Sequence, residues 1–77
     1  MSEPLANYRY FTVEAVDDAL YVVRNRRSRE VIAEIEWYPK WRRWVLVPCE
    51  HTVWSTDCLR DIQHFIAYRA SEERSEP

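Results

Sequence analysis

Cys49, His51, Cys58 and His64 carry the sulfur and imidazole groups that zinc prefers. Their spacing works against a shared ion. On a helix opening near residue 55, Cys58 and His64 stand about 120° apart around the axis, with His64 toward solvent. No metal is therefore expected, and Cys58 reads as a small core residue. Cys49 and His51 could pair as nucleophile and base, but nothing supplies an orienting third group or an oxyanion site. Glu34 and Glu36 lie about 7 Å apart on one side of a strand, a separation compatible with acid–base work. On a solvent-facing sheet the same pattern is a pair of ordinary exposed carboxylates, with Arg43 as a cross-strand partner for Glu36 or Tyr38. No catalytic residue is assigned, and the chain is expected not to be an enzyme.

Two basic clusters stand out, one holding Arg24, Arg26, Arg27 and Arg29, the other Lys40, Trp41, Arg42 and Arg43. Arginine presents a planar fork to phosphate or carboxylate, and Trp41 could stack on an unpaired base. In a meander, successive turns sit at opposite ends of the sheet, so roughly 25–30 Å separates the clusters at ~3.3 Å per residue. They do not form one groove, and Asp17 and Asp18 share an end with the second cluster. Nucleic-acid binding through Arg24, Arg26, Arg27 and Arg29 is thus the secondary expectation.

Composition narrows the classes further. Glycine is absent, which removes phosphate-cradling loops, dinucleotide fingerprints and nucleophile elbows. No cofactor and no small-molecule substrate are expected. A net charge of −2 argues against a dedicated nucleic-acid binder while leaving room for a local basic patch. No apolar run approaches the ~20 residues of a membrane span and the start does not resemble a signal peptide, so no membrane partner and a cytoplasmic location with reduced thiols are expected. Seventy-seven residues make one domain. Aromatic side chains must then supply much of its core.

The elements follow from alternation. Residues 8–15, 20–24, 29–38 and 43–47 are predicted strands, and Pro48 ends the last because it has no N–H to donate. Pairing across the three turns sets Val13 opposite Val22, Val22 opposite Val31, Leu20 opposite Ala33, Trp37 opposite Trp44 and Ile35 opposite Leu46. One apolar face results: Phe11, Val13, Ala15, Leu20, Val22, Val31, Ala33, Ile35, Trp37, Trp44 and Leu46. A helix capped by Ser55 or Thr56 carries Cys58, Leu59, Ile62, Phe65 and Ile66 on one stripe and covers that face. Residues 1–7 read as a loose leader, 8–69 as the folded core and 70–77 as a flexible tail. The predicted fold is α+β, a four-stranded antiparallel meander with one C-terminal helix on one face.

One helix covers one face, so the other is left open. It is predicted to carry Tyr10, Thr12, Glu14, Tyr21, Val23, Ile32, Glu34, Glu36, Tyr38, Arg43, Val45 and Val47, with Trp41 at its end. Aromatic and aliphatic groups mixed with charges resemble a protein-binding surface in composition. A half-apolar solvent face, common in small antiparallel sheets, fits the pattern equally well, and a homodimer is another way to cover it.

The stretch from Trp41 through Arg43, Trp44 and Val47 to Pro48, followed by Thr52-Val53-Trp54 and by Cys58-Leu59, Asp61-Ile62 and Phe65-Ile66, resembles small proteins encoded by bacteriophages and prophages. The likeness spans about residues 30–67 and rests on core positions, so it carries no catalytic residues. It implies a phage accessory protein in the host bacterial cytoplasm. Such a protein would bind a host complex of defence or transcription, or self-associate, through the open sheet face.

Overall fold

Alternating apolar positions drive the first two thirds of this chain into successive strands. In the computed structural model, which describes residues 5–70, five strands precede the helical segment: β1 (Ala6–Asn7), β2 (Phe11–Asp17), β3 (Leu20–Asn25), β4 (Val31–Tyr38) and β5 (Arg43–Pro48). Each pairs antiparallel with its neighbour in the chain, giving the sheet order β1-β2-β3-β4-β5. Helix α1 (Thr56–His64) continues into a π-helical stretch, Phe65–Ala70. The α+β meander with a C-terminal helix is as predicted; the strand count is five rather than four.

The additional strand comes from the expected leader. Ala6 pairs with Val13 and Asn7 with Thr12, the Leu5 N–H donates to the Val13 carbonyl at 2.8 Å, and Ala6 is buried. Two residues are too few to show an alternating pattern, which is why the strand is not visible in the sequence. Residues 1–4 and the predicted tail lie outside the described residues, apart from Ala70.

The core comprises Ala6, Phe11, Val13, Tyr21, Val23, Ala33, Ile35 and Trp44 from the sheet, with Ile62 and Phe65 from the helical segment. Tyr21 and Val23 belong to it, which corrects their assignment to the open face; Leu20 and Val22 lie on the opposite side. Both flanking hairpins explain the inversion. The Asp17 side chain accepts the Ala19 N–H at 2.8 Å, and Asp17 itself pairs with Leu20, so the turn closes one residue later than expected. An irregularity between Ala15 and Asp17 then sets Ala15 opposite Tyr21.

Asn25 does the same at the next turn. Its Oδ1 accepts the N–H groups of Arg27 and Ser28, at 2.8 and 2.9 Å, while its own N–H donates to the Glu30 carbonyl. A register shift beside Arg24 follows, and Val23 meets Ala33. Each bulge adds a one-residue slip, and a one-residue slip turns a strand over. Two such slips on either side of β3 invert that strand alone. The β4–β5 register, with Trp37 opposite Trp44 and Ile35 opposite Leu46, is as predicted.

Three smaller corrections belong to the edges of the core. Ala15 is exposed beside the first bulge, Val31 is exposed at the second, and Leu59 is 48% exposed on the helix. The Ser55 hydroxyl accepts the Cys58 N–H at 3.2 Å and starts α1 as expected. Trp54 packs edge-on against Phe11, with centroids 6.4 Å apart, and so closes the core beneath the helix start. Among the described residues, no helix is long and apolar enough to cross a membrane.

Candidate functional site

The face away from the helix is a checkerboard. One rung runs Glu14–Val22–Glu34–Val47 across β2 to β5, and the next runs Leu20–Glu36–Val45 across β3 to β5. Acid and aliphatic groups alternate along each. Glu14 is paired: Arg24 donates from Nε to its Oε2 at 2.8 Å. Glu34 faces Val22 and Val47, and Glu36 faces Leu20 and Val45, so neither has a cation directly opposite. Among the described residues neither forms a salt bridge. The register puts Arg43 opposite Tyr38, not Glu36.

At one end of this face the β4–β5 turn raises an aromatic pair. Trp41, 65% exposed, stands edge-to-face on Tyr38 with ring centroids 5.0 Å apart, and exposed Arg43 lies across from Tyr38. Of the predicted surface residues, Glu34, Glu36, Tyr38, Trp41, Arg43, Val45 and Val47 therefore do share one side and its rim. Tyr21 and Val23 do not. Ile32 is partly buried and packs against the core cluster beside the β4 bulge, so it too falls outside the patch. Glu14 lies on this side as predicted, Tyr10 lies in the β1–β2 turn, and Leu20 and Val22 take the vacated places. The signal for them was the side-chain turn chemistry of Asp17 and Asn25, which moves both hairpins.

The first basic cluster is joined by residues the sequence did not attach to it. The β1–β2 turn (8–10) and the β3–β4 turn (26–29) lie side by side: the Arg26 N–H donates to the Tyr10 carbonyl at 3.2 Å, and Arg26 Nη1 donates to the Tyr8 carbonyl at 3.0 Å. Arg9 and Tyr10 thereby stand beside the four arginines of the cluster. Cys49 and Cys58 are free thiols, and His64 shares a 2.9 Å hydrogen bond with the Tyr8 hydroxyl. Among the described residues no three of His, Cys, Asp or Glu are grouped to hold a metal ion.

No protein-family model, no curated protein and no solved structure matches this chain.

Proposed function

We propose that this chain is a non-enzymatic protein-binding module whose open sheet face docks a cationic, apolar segment of a partner protein. One observation carries the reading: Glu34 and Glu36 sit among Leu20, Val22, Val45 and Val47 with no salt bridge among the described residues. Carboxylates spaced between aliphatic groups complement a segment that alternates Lys or Arg with apolar side chains. Trp41, Tyr38 and Arg43 supply at the rim the residue types that dominate binding energy at interfaces. Charge also selects against self-association, because stacking two copies of the face would bring the acidic rows of both together. A host bacterial complex approached by a phage protein is the setting the sequence resemblance implies for such a partner.

The test compares the wild-type chain with Glu34→Lys/Glu36→Lys and with Trp41→Ala. All three should keep the same circular-dichroism spectrum. Proteins retained from a bacterial lysate by the wild type should be lost to both variants, and a synthetic Lys/Leu amphipathic peptide should shift the amide signals of Val22, Val45 and Val47. Equal retention by the charge-reversed variant, or a wild-type dimer that this variant dissolves, overturns the proposal.

A further inference from the structure

We propose that the arginine-lined end of the sheet, which borders the docking patch at the Arg24–Glu14 pair, binds the phosphodiester backbone of single-stranded nucleic acid. Two adjoining concavities form there. One, of about 240 Å³, is lined by Asn7, Thr12, Arg24, Asn25, Arg26 and Arg29. The other, of about 550 Å³, is lined by Arg9, Tyr10, Asn25, Arg26 and Arg27. Asn25 and Arg26 belong to both, so the two form one continuous basic surface.

The arginines divide into fixed and available ones. Arg24 is held by Glu14 at Nε and by the Arg29 carbonyl at Nη1, at 2.8 Å each, and Arg26 is held by the Tyr8 carbonyl. Those bonds orient both forks while leaving Arg24 Nη2 and the Nε and Nη2 of Arg26 for a ligand. Exposed Arg27 and Arg29 make no side-chain hydrogen bond among the described residues. Glu14 is already neutralised by Arg24, and Glu30 lines an adjoining concavity with Cys49 and His51 that meets the arginine surface at Asn25 but includes none of its arginines. Guanidinium forks held in advance match phosphate oxygens two at a time.

A row of cations suits a ligand whose charges repeat along a chain. Tyr10 decides which one. Its ring is 44% exposed and carries the Arg9 guanidinium at 5.3 Å from the centroid. An aromatic ring joined to a planar cation is a stacking platform for a base, and only single strands offer bases unstacked. Asp17 and Asp18 lie at the other end of the sheet.

The experiment is fluorescence anisotropy with a labelled twelve-nucleotide oligo(dT) and its oligo(U) counterpart, between 20 and 200 mM salt. Three or four phosphate contacts give a log–log salt slope of about −2 to −3 for a single strand. Arg27→Ala/Arg29→Gly should weaken binding at least tenfold and flatten the slope by about 1.4, two contacts' worth. This double variant keeps the fold, because Arg29 has φ 70° and glycine occupies that region freely. Tyr10→Leu should lower affinity about fivefold or more at unchanged slope. Lys40→Ala, in the exposed turn at the opposite end, should leave oligonucleotide binding unchanged. No wild-type binding at 20 mM salt, equal binding by the double variant, loss with Lys40→Ala, or equal displacement by polyglutamate each overturns the assignment.

Discussion

Tyr21 stands edge-to-face against Phe65, ring centroids 5.0 Å apart and planes at 81°. This contact joins the centre of the sheet to the junction of α1 with the π-helical stretch. Tyr21 also meets Trp44 at 5.2 Å, and Trp44 meets Trp37 at 5.7 Å, so an aromatic series runs from the helix across β3, β5 and β4. Phe65 is fully buried. Removing its ring should cost about 3–5 kcal/mol, a large part of the roughly 4–11 kcal/mol expected for a domain this size. Phe65→Ala should therefore melt far below the wild type in a circular-dichroism scan, whereas Phe65→Leu should retain most of the stability.

The inversion of β3 makes a sharp prediction for two adjacent residues. Tyr21 is 2% exposed between Trp44 and Phe65, while Val22 lies on the other face between Glu14 and Glu34. Tyr21→Lys buries an unpaired ammonium and should abolish folding. Val22→Lys places a cation between two carboxylates and should change stability by no more than about 1 kcal/mol. Urea denaturation of both variants distinguishes this arrangement from its mirror, in which Val22 would be the intolerant site.

Periodicity alone carries β2, β4, β5 and α1, because each has enough alternating or helically spaced apolar residues to point one way. It fails at β3 for a physical reason: Leu20, Val22, Tyr21 and Val23 are all apolar, so the strand itself does not choose a face. The choice falls to the turns, where the side-chain oxygens of Asp17 and Asn25 capture backbone N–H groups and bulges follow. The open patch was legible on β4 and β5, apart from Ile32 beside the bulge, and misassigned on β3 for the same reason. The meeting of Arg9 and Tyr10 with Arg26 was not legible, because it depends on β1, a strand of two residues.

Ser55 is a single-residue test of how α1 begins. Its extended backbone, φ −89° and ψ 168°, presents the hydroxyl to the Cys58 N–H, and Asp57 adds a negative charge in the first turn. Ser55→Ala should cost about 1 kcal/mol, and Ser55→Asp should restore it, since aspartate caps equally well. A lowered urea midpoint for the alanine variant, recovered by aspartate, is the expected result.

In a chain without glycine, three of the described residues take positive φ: Arg29 at 70°, Arg42 at 52° and His51 at 64°. Arg42 lies in the β4–β5 turn, where its N–H donates to the Pro39 carbonyl at 3.3 Å. The left-handed conformation costs a side-chain-bearing residue about 1–2 kcal/mol. Glycine avoids that term but loses about 0.5–1 kcal/mol through greater freedom in the unfolded chain. Arg42→Gly should therefore gain a few tenths to about 1 kcal/mol, seen as a higher urea midpoint at unchanged slope. Arg42→Val, branched at Cβ, should move the midpoint the other way. Because the turn fixes the registry of Trp37 with Trp44, a gain from glycine and a loss from valine would locate the strain in the Arg42 backbone rather than in contacts of its guanidinium.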